Sequence, residues 1–500
     1  MSEAAPASAG NRVWLFGLLA IVLLGLCLRL YSIHAPILDH PGWRQGDGAA
    51  IARNFALLQN NIFYPQTDYN GPPPHYVELE LQLAPFAAAQ LYRVFGIHET
   101  FIRLIVVAFS VATIVLLFFF AGELRSPRAG LIAALLYAIA PGAVYYGRTL
   151  TPDSLMIFFS TGTLFFWWRW CKTRRLPDFF WATGFGALAW LAKPPALLVL
   201  VPLLAMSLAR LRWRAFADWS LYAFAALTLT PFFLYFAHVH AIAEWHWFTG
   251  ITQKHVLPTL WAELSSLGAF ISGLQGTFAL LRMLAETVLG PLLLTLALIG
   301  ALLQPRDDGA RARAWLFGSW GAVLCLYAFV VVNVERVDYY LLPWLPLAAL
   351  VAALGVDAVW ERLEPQRLRA VACAALAVAT FVAVYVNMLE IHPYYTWSRP
   401  VYRAAAELKA TLLPDTLIVM GHKDPSVLYL IGRKGWEEDP LDWTVFDMQS
   451  AIAKGARYFV AIEVNRFHAN KQLYRYMQRF ARVRVQSNWE VFDLATASPL

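Results

Sequence analysis

The sequence predicts an α-helical polytopic membrane protein with a small α/β domain outside the membrane. Hydrophobic residues make up 59% and charged residues 15% of the 500 residues, whereas soluble domains average about 45–50% and about 25%. The apolar residues collect in about eleven long segments, each near the length that a membrane span requires. After about residue 390 the chain loses this character and alternates short β-like and helical runs.

The predicted spans follow from length and apolar composition. We expect them at about 13–33, 101–121, 129–146, 154–170, 179–192, 194–209, 216–238, 286–304, 315–333, 340–358 and 370–388. Arg12 precedes the first segment, which is too long for the apolar core of a signal peptide and is followed by no small-residue cleavage site. We therefore expect this segment to be a retained anchor.

Basic residues occur mainly in every second loop, which predicts the orientation of the chain. These loops contain Arg125, Arg128, Lys172, Arg174, Arg175, Arg210, Arg212, Arg214, Arg306, Arg311, Arg313, Arg362, Arg367 and Arg369. By the positive-inside rule they face the cytoplasm. The opposite short loops hold one basic residue each, Arg148, Lys193 and Arg336. The net charge of +7 therefore reflects orientation, and we predict no nucleic-acid partner.

One apolar stretch does not fit a membrane span. Leu81–Phe95 is short and contains Gln82, Gln90 and Arg93, and a span here would place the arginine-rich loops outside. We predict a helix that lies in the membrane interface. Two outer loops, at about 34–100 and 239–285, then belong to a membrane domain of residues 1–389, and residues 390–500 form an outer domain.

The sequence pattern of the C-terminal region predicts a small α/β domain. Strand-like runs at Leu417–Met420, Tyr458–Ile462 and Val483–Val485 alternate with helical stretches such as Ala451–Ala456. The outer domain contains no cysteine, so a disulfide framework is not expected. The four cysteines lie in or beside predicted spans: Cys27, Cys171, Cys325 and Cys373.

The first outer loop contains Asp47, which precedes a predicted helix at Ala49–Leu58 and lies near Arg44 and Arg53. Two interpretations are open. The carboxylate could cap this helix, or it could act as a general base beside cations that bind a phosphate. In the same way, Asp153 follows Pro152 at the start of the fourth span, where helix capping is the simpler interpretation.

Lys193 and Arg336 are the outward cations of two later loops. Lys193 is followed by two prolines at a break between apolar segments. Ionisable residues at membrane depth are costly and usually functional, although a lysine can also extend its amine to the interface. Arg336 lies among Asn333, Glu335, Asp338 and Tyr340, where an ion pair that steadies the turn is the alternative to a functional role.

The long second outer loop is rich in histidine. It contains His238, His240, His246 and His255 together with Glu244 and Lys254. A divalent metal is one hypothesis, but no pair of these residues has a recognised ligand spacing. Interfacial aromatic and histidine side chains are the commoner explanation, so the cofactor and its ligands stay open.

Several short motifs occur in an order that one class of enzymes shares. They are Asp47, Tyr64–Pro65, Pro72–Pro74, Phe95–Gly96, Arg103–Leu104, Pro152–Asp153, Ala192–Pro194 and Asp338–Pro343. Because these motifs occur in this order and on one predicted membrane face, about residues 10–390 resemble the GT-C glycosyltransferases that use polyprenyl-phosphate sugars. The nearest resemblance is to the protein O-mannosyltransferase and lipid A aminoarabinose transferase superfamily.

The resemblance implies an inverting sugar transfer at the outer membrane face. Asp47 would orient or deprotonate an acceptor hydroxyl, which attacks the anomeric carbon of a polyisoprenyl-phosphate sugar, and Asp153 would help to position the acceptor or the Asp47 loop. Fixed cations would stabilise the leaving phosphate; the candidates are Lys193, Arg148, Arg336 and Arg44. The acceptor would be a lipid, a glycan or a protein, and the pattern favours a bacterial inner membrane with the site facing the periplasm or exterior.

The chain also departs from this superfamily. Gly48 stands where many relatives have an acidic residue, and Asn70–Gly71 stand where aminoarabinose transferases carry Glu-Lys before the prolines. Glu78 and Glu80 are candidates for the missing carboxylate. Further candidate ligand contacts are Arg53, Tyr340 and His255.

Three other functions stay open. A transporter also has lysines at broken helices, but it would show repeated halves and charges near mid-membrane, neither of which is evident here. A non-catalytic scaffold would bind through its outer domain and would not need Asp47. A lipid-linked glycan polymerase would use the same face and a similar lipid phosphate.

Overall fold

The structure is a computed structural model that describes residues 9–364, 366–462, 464–486 and 489–497. The α-helices are, in chain order, α1 Ala9–Leu30, α2 Gly42–Leu57, α3 Leu83–Phe95, α4 Glu99–Leu124, α5 Pro127–Ile139, α6 Pro141–Tyr145, α7 Asp153–Thr173, α8 Leu176–Ala192, α9 Leu200–Leu211, α10 Trp219–Ile242, α11 Trp247–Ile251, α12 Leu257–Leu264, α13 Leu267–Met283, α14 Gly290–Leu302, α15 Ala310–Tyr327, α16 Trp344–Arg362, α17 Gln366–Ile391, α18 Arg399–Thr411, α19 Pro425–Ile431, α20 Val445–Ala453, α21 Val464–Ala469 and α22 Lys471–Met477. The strands are β1 Val77–Glu78, β2 Trp245–His246, β3 Leu417–Gly421, β4 Lys434–Glu438, β5 Ala456–Ile462, β6 Phe480–Gln486 and β7 Trp489–Ala497.

The chain folds into two compact units that interleave along the sequence. The first, here called the membrane unit, comprises Met1–Ile33, Leu104–Phe236 and Phe248–Pro393. The second, here called the loop–tail unit, comprises His34–Arg103, Ala237–Trp247 and Tyr394–Leu500. The first outer loop thus folds together with the C-terminal region.

The long apolar helices make this an integral membrane protein, as predicted. Within the described residues, eight helical segments are long and apolar enough to cross a membrane: Arg12–Leu30, Glu99–Leu124, Pro194–Ala217, Trp219–Ile242, Leu267–Leu302, Ala310–Val332, Trp344–Arg362 and Gln366–Thr411. The other three predicted spans are also helical and correspond to α5, α7 and α8. Helices α5 and α8 are shorter, and α7 carries many Trp, Ser and Thr side chains.

Among the described residues, five helices lie wholly within the predicted outer loops, α2 and α3 in the first and α11, α12 and α13 in the second. Helix α3 occupies the expected interfacial stretch and is amphipathic, with Ala88 and Ala89 buried and Val94 and Phe95 exposed. Helix α13 lies within the predicted second outer loop and continues through a wider helical turn into α14. That loop is therefore largely helical, because its second half is an apolar run without proline.

The C-terminal α/β domain contains a five-stranded sheet with the strand order β4-β3-β5-β7-β6. Strand β3 is parallel to β4 and β5, and β7 is antiparallel to β5 and β6. Strands β3, β5 and β6 contain the predicted runs, whereas β4 and β7 were not predicted. The predicted helix at Ala451–Ala456 begins earlier, at Val445, because Thr444 and Asp447 form a capping box there.

The two faces of this sheet are covered by different helices. Ile418 and Met420 of β3 lie in a core with residues of α18 and α19, and this core also contains Tyr69 from the first outer loop. Val419 lies in the opposite core with residues of α20 and α22. The loop is further tied to the sheet because Gly71 N donates to Gly435 O over 2.6 Å and Gly435 N donates to Asp68 O over 2.9 Å.

Candidate active site

Asp47 lies inside helix α2 and does not cap it. The helix begins at Gly42 and its N-cap is Pro41; the sequence pattern places the start too late because glycines at 46 and 48 obscure the helical periodicity. Gly46 is required for packing, since a Cβ there would lie only 2.6 Å from the backbone nitrogen of Ser426. The capping interpretation of Asp47 is therefore wrong.

The surroundings of Asp47 favour proton transfer. The side chain is only 3% exposed, and this burial raises its pKa to about 7. The charge of Arg44 and the nearby Tyr69 hydroxyl lower the pKa, while the charges of Asp424 and Glu80 raise it. Its Oδ1 has no hydrogen-bond partner among the described residues. Such a carboxylate can accept a proton near neutral pH.

Arg44 and Glu80 form an ion pair whose charges both act on Asp47. The sequence analysis names each residue as a separate site candidate. The fold brings the two together because the turn before α3 approaches the first turn of α2. The effects of these two charges on the pKa of Asp47 oppose each other. The roles of Arg44 in phosphate binding and of Glu80 in ligand contact stay predictions.

Arg53 is engaged by protein groups. Its guanidinium donates to the carbonyl oxygen of Tyr429 over 2.9 Å, lies 4.4 Å from the centre of the Tyr429 ring, and forms an ion pair with Asp68. The buried Asp68 also accepts hydrogen bonds from Asn54 and Lys434, over 3.1 and 3.3 Å. This network joins α2, the first loop and the sheet, so Arg53 has a structural role in this unit.

Glu78, His240 and His246 form a cluster that could hold a divalent metal. Strands β1 and β2 pair in parallel and place Glu78 opposite His246. His240 Nδ1 lies 2.9 Å from Glu78 Oε1, and His246 Nδ1 lies 3.9 Å from Oε2. One ligand atom from each residue lies within 4.8 Å of the others. Two imidazoles and a carboxylate suit zinc and similar ions.

In the membrane unit, Lys193 and Asp153 form a buried ion pair. Lys193 Nζ donates to Asp153 Oδ1 over 2.6 Å. The same nitrogen lies 4.7 Å and 5.0 Å from the ring centres of Tyr339 and Tyr340, where it makes cation–π contacts. Lys193 follows the end of α8 and Asp153 begins α7. Because the amine is buried and paired with Asp153, Lys193 does not extend to the membrane interface.

The remaining predicted residues of the membrane unit are held differently. The guanidinium of the fully buried Arg148 donates to the carbonyl oxygen of Ser32 over 3.3 Å. Arg336 donates to the backbone and side-chain oxygens of Asn333 over 3.2 and 3.3 Å, and so it steadies its own turn. His255 lies 3.6 Å from Glu335 and its side chain is 60% exposed. Their contacts to a ligand stay predictions.

Glu437 belongs to the surroundings of Asp47, and the sequence pattern does not reveal it. It lies in β4 with 9% exposure, and its pKa responds to the charge of Asp47. The only available signal was the alternation of Lys434–Glu438, which is too short to predict a strand without its neighbours. Tyr69 and Asp424 were missed for the same reason, since only the fold brings them to Asp47.

Comparison with known proteins identifies the fold. Residues 82–236 match the family model described as dolichyl-phosphate-mannose-protein mannosyltransferase; no curated protein sequence matches the chain. Among solved structures, the apo oligosaccharyltransferase of Archaeoglobus fulgidus aligns with a TM-score of 0.62 at 12% identity, covering 94% of this chain and 73% of that one. Apo ArnT from Cupriavidus metallidurans aligns with a TM-score of 0.59 at 16% identity, covering 99% and 100%. The chain has the GT-C fold.

The GT-C fold confirms the class that the order of motifs predicted. A further structure, ArnT from Cupriavidus metallidurans bound to undecaprenyl phosphate, aligns with a TM-score of 0.56 at 16% identity and covers 99% of this chain and 100% of that one. The alignment with ArnT extends over nearly the whole chain, including the C-terminal domain. The likeness of fold thus extends to the C-terminal domain as well as to the membrane helices.

Proposed function

We propose that this protein transfers a sugar from a polyprenyl-phosphate donor to an acceptor hydroxyl at the outer face of the membrane, with inversion at the anomeric carbon and Asp47 as the general base. The observation that carries the proposal is the buried Asp47 carboxylate, with its pKa raised to about 7 and one oxygen without a partner among the described residues, within a GT-C fold. The solved ArnT complex with undecaprenyl phosphate supports the donor class.

The proposed reaction is a single displacement. Asp47 accepts the proton of the acceptor hydroxyl, and the oxygen forms a bond to the anomeric carbon. The bond from that carbon to the phosphate oxygen breaks, and its electron pair leaves with the polyprenyl phosphate. A base with a pKa near the working pH serves this step well, because it is both ionised and basic enough to take the proton.

Lys193 is the proposed anchor of the donor phosphate. An ammonium group has three donors, of which one is directed at Asp153, and a fixed cation stabilises the charge that the leaving phosphate gains. Arg148 and Arg336 are further candidates. We also propose that Asp153 orients Lys193, because its Oδ1 accepts a hydrogen bond from the ammonium group. The expected role of Asp153 in positioning the acceptor or the Asp47 loop stays a prediction.

A divalent metal would be held by Glu78, His240 and His246. Glu78 is buried, and both imidazoles already point a ring nitrogen at its carboxylate, so the donor set fits such an ion. When bound, the ion would supply a fixed positive charge and crosslink the first loop to the segment around β2. Asp47 and Lys193 carry the proton transfer and the phosphate binding without it.

The orientation and location are part of the proposal. The arginine-rich loops support a cytoplasmic side opposite to Lys193 and Arg336, and we propose that the chemistry takes place at the outer face. We propose a bacterial inner membrane, with residues 390–500 as an outer domain that follows the membrane domain of residues 1–389. The acceptor is a lipid, glycan or protein with a free hydroxyl.

The test is sugar transfer by purified protein with a panel of polyprenyl-phosphate sugars. The proposal expects release of polyprenyl phosphate and an inverted product from at least one donor, and no product from Asp47→Asn. Chain extension of a lipid-linked glycan would identify the polymerase instead. Movement of a lipid-linked sugar across vesicles without bond cleavage would identify a transporter, and binding without either would identify a scaffold.

A further inference from the structure

Glu437 is a buried carboxyl group that the proposed mechanism does not use. It pairs with Met420 in the parallel register of β3 and β4, and residues paired in this way point to the same face of a sheet. Met420 lies in the core that contains Tyr69. Glu437 therefore points to the sheet face against which Tyr69 packs.

Helix α2 reaches the same edge of the sheet. Strand β3 ends at Gly421 and α19 begins at Pro425, so the start of α19 lies near the carboxyl end of β3. Gly46 of α2 packs directly against Ser426 in the first turn of α19. Glu437 is the penultimate residue of β4, at the corresponding end of the neighbouring parallel strand. The packing thus brings the helix that carries Asp47 to the strand end that carries Glu437.

Tyr69 lies beside both carboxyl groups. The two hydrogen bonds between segment 68–71 and Gly435 fix this segment along the edge of β4. The pKa of the Tyr69 hydroxyl is raised by burial and then by the charges of Asp47 and Glu437. Asp47, Tyr69 and Glu437 therefore belong to one cluster, built by α2, the first loop and the sheet of the loop–tail unit.

The two carboxyl groups of this cluster differ in protonation. The pKa of Glu437 is raised to about 9, first by burial and then by the charges of Asp47, Glu438 and Asp424, against the charge of Lys423, which lowers it. The pKa of Asp47 is raised to about 7. Between these two values Asp47 is ionised and Glu437 is neutral. A pair of acids whose environments separate their pKa values is the pattern that assigns different roles to two similar groups.

We propose that Glu437 is a second carboxyl group of the Asp47 site, held as a neutral acid beside the ionised base, where its proton avoids a further negative charge next to Asp47. This inference rests on the proposed function. An ionised Glu437 would add a second anion to a poorly solvated site, and the repulsion would weaken binding of an anionic lipid phosphate. Glu437 is thus a positioning residue that acts through charge, contributed by the C-terminal domain.

Binding of undecaprenyl phosphate between about pH 7.5 and pH 10, followed by tryptophan fluorescence, tests this role without turnover. A phosphate monoester is already fully ionised in this range because its second pKa is about 6. For the native protein we expect the dissociation constant to rise roughly tenfold as Glu437 ionises. Glu437→Gln should abolish most of this rise, and Glu437→Asp should retain it because it keeps a titratable acid.

Glu438→Gln is the matched control. It alters the next residue of the same strand, which points to the other face, and its neighbours are Asp439, Asp442 and Lys423. Glu438→Gln should keep a rise of the native size, with its midpoint at a lower pH because one charge that raises the pKa of Glu437 is gone. A native-like rise in Glu437→Gln, or no rise in the native protein, would overturn the proposal.

Infrared titration of the ligand-free protein gives an independent readout. In the difference between native protein and Glu437→Gln, the band of a protonated carboxyl should persist to about pH 9 and disappear above it. The same comparison is then made in the Asp47→Asn background, with and without Glu437→Gln. There the midpoint of Glu437 ionisation should be lower by about one pH unit or more, because the neighbouring charge of Asp47 is gone. Ionisation of Glu437 near the ordinary value of about 4.3 would overturn the inference, whereas failure of sugar transfer would overturn only the proposed function.

Discussion

Two buried acids, one in each unit, are held in opposite ways. In the membrane unit, Lys193 and Asp153 neutralise each other across 2.6 Å. In the loop–tail unit, Asp47 keeps one oxygen without a partner among the described residues, and burial raises its pKa to about 7. A buried pair fixes its charges, whereas a buried single acid becomes a group whose charge changes with its proton. The first arrangement suits phosphate binding and the second suits proton transfer.

Replacing Asp47, the acid whose charge changes with its proton, should have the largest effect on turnover. Asp47→Asn keeps the size of the side chain but cannot accept the acceptor proton, and general-base catalysis contributes about 10²–10⁴-fold to a rate. We expect turnover to fall by at least about 100-fold while undecaprenyl phosphate still binds. Rate and lipid affinity of the variant are measured together, with the exposed Asp442→Asn as the control. A variant that keeps native turnover would remove the general base from the account.

Removing either member of the Lys193–Asp153 ion pair should lower both the free energy of unfolding and the affinity for undecaprenyl phosphate. Lys193→Met leaves the Asp153 carboxylate buried without its partner, which destabilises proteins by about 3–5 kcal/mol. Asp153→Leu should have a similar effect. The double variant should regain most of the stability, because an apolar pair needs no counter-charge, yet should still bind undecaprenyl phosphate weakly.

Denaturant unfolding in micelles and a lipid-binding titration separate these two effects of the pair. If the double variant bound undecaprenyl phosphate as well as the native protein does, Lys193 would be a structural residue alone. If both single variants were as stable as the native protein, the pair would not be buried in solution.

The same comparison predicts that Asp47 lowers stability at neutral pH. Its folded pKa of about 7 exceeds the ordinary value of 3.8, so the folded state binds this proton more tightly than the unfolded chain does. The free energy of unfolding should therefore fall as the pH rises from about 4 to about 7, by a few kcal/mol. Asp47→Asn should reduce this fall and be more stable than native at about pH 8. Unfolding at several pH values checks this; an unchanged pH dependence in the variant would contradict it.

The smallest effect is expected at His255. Its contact with Glu335 spans 3.6 Å, and the histidine side chain is 60% exposed, so the pair is screened by solvent and contributes about 0–1 kcal/mol. His255→Ala should leave turnover and unfolding within experimental error of native. A large loss of donor affinity in this variant would instead place His255 in the binding site, as the sequence allowed.

Apolar length and basic loops predict the membrane helices well, because both depend on local composition. Strands β3, β5 and β6 were also predicted, because their short β-like runs are local patterns. Contacts distant in sequence were not predictable: the pairing of β1 with β2 joins Glu78 to the histidine loop, and Tyr69 packs in the core of the C-terminal domain. Asp47 stays a predicted catalytic residue; the structure shows that it is buried and that its helix begins earlier than expected. Its neighbour Glu437 was not found.

The pH dependence of turnover tests the central claim most directly. If Asp47 is a general base held by burial at a pKa of about 7, kcat/KM should be low at about pH 5, rise roughly tenfold per pH unit, and level off above about pH 7. An acid limb centred near the ordinary aspartate value of about 3.9 would contradict the account, because it would show that the carboxylate that limits the reaction is not the buried Asp47.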